Sequence, residues 1–175
     1  MRSDPRLRLP IMMIAALLLQ TTVLARIRVW GVMPDFMLLV AVAGGISAGP
    51  TRGAALGFSS GMLIDLFLPT PLGLSALVFT LVGYGVGVAS TGVLRSAWYI
   101  PVLTAAGASV AGVLLYAVAG SVLGERMIDG HLATIALVVG LSNAVLAPVA
   151  VRFVDWSLGS LRDLRTLKAG GPLSS

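Results

Sequence analysis

The sequence has no cysteine, which excludes disulfides, thiol nucleophiles, thiolate zinc sites and iron–sulfur clusters. It has one histidine, His131, so an imidazole-rich metal site is equally excluded. Charge is scarce: 12 Lys or Arg and 7 Asp or Glu make 11% of 175 residues, against about 25% in a soluble domain. Aromatic residues are only 6%. Such a chain cannot coat a water-soluble globule of this size with polar groups, and this excludes an ordinary cytosolic enzyme as well as a disordered chain. Hydrophobic residues reach 57% and the mean hydropathy is +0.98.

The few charges are spaced in a pattern. Residues 9–25, 36–51, 53–64, 66–94, 96–124 and 132–151 contain no Asp, Glu, Lys or Arg. A membrane-crossing helix needs about 20 mostly apolar residues, so we read six spans at roughly 9–25, 34–50, 53–68, 73–94, 100–123 and 132–154. The second and third are short. Gly49-Pro50-Thr51-Arg52-Gly53 separates them, because Gly-Pro punctuates a helix and Arg52 prefers the lipid–water interface. With the amino terminus inside, nine basic residues (Arg2, Arg6, Arg8, Arg52, Arg95, Arg152, Arg162, Arg165, Lys168) fall on the inner side and three (Arg26, Arg28, Arg126) on the outer. The positive-inside rule therefore places both termini in the cytoplasm, which requires an even number of spans. The excess of basic over acidic residues gives a pI near 10.8 and suits contact with anionic lipid. No basic stripe with interleaved aromatics supports nucleic-acid binding.

An alternative reading of the first span is a signal peptide cut after Val23-Leu24-Ala25. The apolar run is long for that, and Arg26 and Arg28 follow at once. Five remaining spans would still leave the carboxyl terminus inside. The chain divides into a six-span membrane domain, 1–155, and a basic cytoplasmic tail, 156–175, whose end is expected to be disordered. Leu158, Leu161 and Leu164 with Arg162, Arg165 and Lys168 suggest a short helix on the inner membrane surface.

Several residues stand out along the spans. Pro34 is expected at the first helical position of span two, with Asp35 in the first turn facing the positive helix end; the other reading of Asp35 is an external contact point for a partner. Gly53, Gly57, Gly61 and Asp65 recur every four residues and form one ridge on span three. Such glycines let another helix approach closely. Asp65 continues the ridge near the helix end, so it faces protein rather than lipid. It either pins the turn Pro69-Thr70-Pro71-Leu72-Gly73, through backbone N–H groups, Arg26, Arg28 or Arg126, or it carries function. Gly83 and Gly87 repeat the four-residue spacing on span four, and close helix packing is the better reading than phosphate cradling because no strand precedes them. Trp98 and Tyr99 read as interfacial anchors and Pro101 opens span five. On span six, Asn143 can bond across helices and Pro148 is expected to kink or loosen the helix.

No catalytic set emerges. Gly57-Phe58-Ser59-Ser60-Gly61 matches Gly-x-Ser-x-Gly, but that elbow needs a strand before it. A serine nucleophile also needs a base in reach, and His131 belongs to an external loop. Only Asp65 is placed for an intramembrane aspartyl mechanism, which needs a pair.

The stretches Pro34-Asp35-Phe36-Met37-Leu38-Leu39, Gly49-Pro50-Thr51-Arg52-Gly53-Ala54-Ala55-Leu56-Gly57-Phe58, Gly61-Met62-Leu63-Ile64-Asp65-Leu66, Pro71-Leu72-Gly73-Leu74-Ser75-Ala76-Leu77 and Gly83-Tyr84 resemble the MreD family of rod shape-determining membrane proteins. Asn143 and Pro148 fit its pattern too. The resemblance is carried by about residues 30–90 and beyond them by length and span count.

The resemblance implies a non-enzymatic, all-α membrane scaffold of the bacterial inner membrane, without cofactors. It would bind MreC and, through it, meet MreB, RodA and a penicillin-binding transpeptidase in lateral peptidoglycan synthesis. The family's fold is similar to the substrate-binding subunits of energy-coupling-factor transporters, which supplies the alternative: a vitamin-uptake subunit with an outward pocket. Short external loops and few aromatics fit that alternative less well. On the scaffold reading, the glycine ridge and the Pro71–Gly73 turn keep the helices in register. The partner surface is then a groove between helices and their external ends, near Asp35 and Asp65.

Overall fold

The computed structural model describes residues 5–23, 26, 31–67, 71–92, 99–124 and 130–169, with the backbone only for 5–7, 23, 91–92 and 159–169. Among the described residues the chain is all-helical, with no sheet. The α-helices are α1 (Pro5–Leu18), α2 (Phe36–Ala48), α3 (Pro50–Asp65), α4 (Leu74–Gly92), α5 (Ile100–Val122) and α6 (Leu132–Ala169), and α1 ends in one π-helical turn, Leu19–Val23. Two helical segments, Ile100–Val122 and Leu132–Leu158, are long and apolar enough to cross a membrane; α2 and most of α1 and α4 form shorter apolar helices. Leu24 and Ala25 of the possible cleavage site, Arg2, Arg28, Pro69, Thr70, Arg95, Trp98, Arg126 and the end of the tail, 170–175, lie outside the described residues.

Helix α2 is the centre. Phe36 through Gly45 are all buried, including both faces of the helix, as expected of a helix that is apolar all round. Contacts reach it from each of the other five helices. The outward sides of α5 and α6 are apolar instead: Leu103, Val118, Val122, Leu137, Leu141 and Val145 are each more than half exposed. A contiguous apolar surface of this kind needs lipid or protein against it.

Three sequence expectations are corrected. Pro34 does not open α2; the helix starts at Phe36 and Asp35 is its N-cap, because from that position its carboxylate accepts from the free first-turn N–H of Leu38. Pro50, not Gly53, opens α3: it occupies the first turn, where its missing N–H costs nothing. The third concerns the tail. It is no separate surface helix, since α6 runs 38 residues from Leu132 to Ala169 through Pro148. At about 1.5 Å per residue that is about 57 Å, well beyond a hydrocarbon core of about 30 Å. The reason is local: after Gly159 the next helix breakers are Gly170-Gly171-Pro172.

Helices α2 and α3 are joined by one residue. Gly49 has φ 83°, which a side chain would strain. Its N–H donates to Gly45 O at 3.1 Å and its carbonyl accepts from Gly53 N at 2.9 Å, so it ends one helix and starts the next.

Candidate functional site

The sequence ridge on α3 meets the glycines of α4. A Cβ placed on Gly53 would strike the carbonyl oxygen of Gly83, one on Gly57 the backbone of Phe79, and one on Gly61 the Cα and N of Ala76 at 2.5 Å. A Cβ on Gly87 would in turn strike Pro50. The pairs 50/87, 53/83, 57/79 and 61/76 keep a nearly constant sum, so α3 and α4 run antiparallel in one fixed register. Backbone lies directly on backbone, and packing of this kind drives helix association where lipid removes the hydrophobic incentive.

Gly45 of α2 closes the seam from a third side. Its Cβ would meet Gly83 O at 2.5 Å and Gly87 N at 2.9 Å, and a Cβ on Gly83 would lie 3.2 Å from Ala41 O; the pairs 41/83 and 45/87 keep a constant difference, so α2 runs parallel to α4. Sequence reasoning missed Gly45: Gly45, Gly49 and Gly53 continue the four-residue spacing, but the Gly49-Pro50 break puts Gly45 on a different helix from the ridge. Gly44-Gly45 in an otherwise bulky run was a second available signal.

Asp65 is the last residue of α3 and is 1% exposed. Its Oδ2 accepts from Gly73 N at 2.8 Å and Ala76 N at 3.3 Å, and its Oδ1 from Ser75 N at 3.2 Å. The carboxylate of one helix thus satisfies the otherwise unpaired first-turn donors of the next. Negative charge at a helix N-terminus is favourable as well. Gly73 has φ 95°, a left-handed conformation that turns its N–H back to Asp65 while its carbonyl accepts from Leu77 N at 2.9 Å. Pro71 and Gly73 are half-buried beside it. Being buried and fully engaged with backbone, Asp65 is not a surface residue.

Asp35 lies at the same end of the bundle. Its Oδ1 accepts from Leu38 N at 3.0 Å. Its carbonyl accepts from Asn143 Nδ2 at 3.0 Å, and the same Nδ2 reaches Ser109 Oγ at 2.9 Å. Asn143 therefore ties α6 to α5 and to the start of α2, at 0% exposure. Gln20, on the π-helical turn, accepts from Met37 N at 2.8 Å and satisfies a second donor of α2. Gln20 and Ser109 were not singled out in the sequence. Gln20 sits beside Thr21 and Thr22, and nothing local separates the inward polar residue from the outward ones. Pro148 is exposed, on the far side of α6 from the buried Ala147 and Ala150.

Replacing Asn143 by Val is expected to cost roughly 1–2 kcal/mol, the scale of interhelical hydrogen bonds in membranes. It should lower Tm by several degrees in detergent without changing helix content by circular dichroism. An unchanged Tm would show that Asn143 contributes no net energy.

At the opposite end, Arg8 stacks over the Trp156 ring at 5.2 Å, and Trp156 stacks on Phe153 at 6.4 Å. This joins α1 to α6 by a cation–π contact of about 0.5–1 kcal/mol. Arg52 is half-buried at the start of α3. Ser59, the nucleophile position of the Gly-x-Ser-x-Gly match, is exposed and donates to Ala55 O at 2.9 Å, a bond within its own helix.

Two cavities stand out among the described residues. One, of about 480 Å³, lies at the Asp35 end between α2, α4, α5 and α6. The other is a groove of about 470 Å³ between α4 and α5, lined by small residues including Gly85, Ala89, Gly107 and Ala111. Gly85 and Gly107 have nothing within 4 Å of an added Cβ, the reverse of the α3/α4 seam.

A family model described as rod shape-determining protein MreD matches residues 1–123. No curated protein and no solved structure matches the chain.

Proposed function

The chain belongs to the MreD family, a membrane protein family with a role in rod shape determination, and from that premise we propose that it is a non-enzymatic scaffold of the cell-wall elongation machinery. It spans the bacterial inner membrane six times with both termini in the cytoplasm, so that the Asp35 and Asp65 end is the outer one. It binds MreC directly and meets MreB, RodA and a penicillin-binding transpeptidase through it. The membrane domain is 1–155, and the cytoplasmic tail is 156–175. The observation that carries this reading is the α3/α4 seam. A bundle that spends the buried carboxylate of Asp65 on fixing helix register is built to hold a shape.

The partner surface is the α4/α5 groove. Its glycines are open, and a single transmembrane helix can come as close there as α4 comes to α3. Asp35 is half-buried at the outer end, and Asp65 is withdrawn from the surface by its burial.

A mild-detergent affinity pull-down from the native host, read by mass spectrometry, tests the reading. Recovery of MreC and wall synthases, with loss of MreC from a Gly107→Leu variant that still elutes as a monodisperse peak, is the expected result. Recovery of a membrane coupling subunit and its ATPases would instead establish the vitamin-uptake alternative, the reading favoured by the 480 Å³ cavity.

A further inference from the structure

The cavity at the Asp35 end has the size of a small-molecule site, which typically occupies about 300–1,000 Å³, at about 480 Å³. Most of its wall is apolar, with Leu38, Ile64, Phe79, Val113, Ile135 and Val139 contributing. Asp35, Ser75 and Tyr116 add polar groups, and among the described residues no basic side chain lines it. The carboxylate is held in place. Its Oδ1 is tied to Leu38 N, and its carbonyl to Asn143.

The chemistry of this wall is selective. The start of α2 offsets roughly half a unit of the Asp35 charge, and the remainder is negative. An anion would be repelled. A neutral apolar ligand would strip water from the carboxylate and return nothing to it, which is unfavourable. A group with an apolar body and one positive charge satisfies both parts of the wall, and in a poorly hydrated site its attraction to the carboxylate is stronger than in water.

We propose that this cavity binds an organic cation, a single ammonium or guanidinium group on an apolar body, with Asp35 as its counter-ion. The proposal goes beyond the scaffold reading and does not rest on it. The cation comes either from a free amine or from a basic side chain of a bound protein.

Thermal unfolding of the purified full chain in neutral detergent tests it. The probes are tryptamine and its uncharged counterpart 3-ethylindole, which share one apolar body. Tryptamine is expected to raise Tm saturably, by about 5 °C at a hundredfold excess over its Kd, and 3-ethylindole by less than about 1 °C on the same scale. Asp35→Asn removes the charge while keeping a good N-cap, so this variant should unfold near the parent Tm and lose the tryptamine shift. Val113→Phe fills the cavity with the carboxylate intact and should also lose it; this second variant carries the test if the first fails to fold. No saturable shift with tryptamine, an equal shift with 3-ethylindole, or a shift retained in both variants would overturn the proposal. Adding tryptamine to the pull-down then separates the sources. Displacement of a co-purifying protein identifies its basic side chain as the occupant, and retention identifies a free amine.

Discussion

Gly61→Leu is expected to abolish the folded protein in detergent, with yield and monodispersity both collapsing. The added side chain begins 2.5 Å from the Cα and N of Ala76. Those are backbone atoms and cannot rotate away as a side-chain tip would. Helix α4 would have to move off α3 by more than an ångström, and the 53/83 and 57/79 contacts would open with it. Overpacking a well-packed interior costs about 1–3 kcal/mol where side chains can adjust; here the backbone must shift, so about 3 kcal/mol is a lower bound on the same scale. Gly61→Ala should already be harmful, since Cβ alone makes the clash. Gly107→Leu is the matched control: the same change, on an apolar helix of the same bundle, with nothing within 4 Å of its Cβ. It should leave Tm within about 2 °C of the parent, as surface substitutions usually do. Equal yields for the two variants would refute the buried seam.

The contrast between those two glycines explains what was legible in the sequence. Gly53, Gly57 and Gly61 could be placed together because a spacing of four puts residues on one side of a helix whatever surrounds it. Asp65 could be placed with them for the same reason. What the ridge packs against is a property of two helices at once. Gly83 and Gly87 carry the same spacing and were found; Gly45 carries it too, with Gly49, but lies across the Gly49-Pro50 break from the ridge, and only the three-helix geometry shows that it packs on the same seam. Burial is legible where it is uniform. Residues 36–45 read as apolar throughout and prove to be enclosed on every side. Polar pairing is less legible, because Asn143 meets Asp35 across 108 residues and the partner on α5, Ser109, is one hydroxyl among several. The end of α6 was misjudged for a different reason. A change from apolar to basic composition marks where the environment of a helix changes, and it does not stop the helix.

Asp65 yields the second large effect, and its two substitutions should separate by mechanism. In Asp65→Leu, the N–H groups of Gly73, Ser75 and Ala76 lose their acceptor in a buried site. Each unsatisfied buried donor costs about 1–3 kcal/mol, and water reaching the turn recovers part of that, so a total loss of at least about 3 kcal/mol is expected. In Asp65→Asn the amide oxygen can take the place of Oδ2 and keep Gly73 and Ala76. The amide nitrogen then faces Ser75 N–H, donor against donor, and about 1–2 kcal/mol is lost. The order of Tm should therefore be Asp, then Asn, then Leu, and Leu should also slow folding if the α3–α4 hairpin forms early. Partner recovery discriminates further. If Asp65 only caps α4, MreC recovery should follow the folded fraction in both variants. A well-folded Asp65→Asn protein that recovers no MreC would mean that the charge itself, buried as it is, is read by the partner, and the cap would then be the lesser of its two roles.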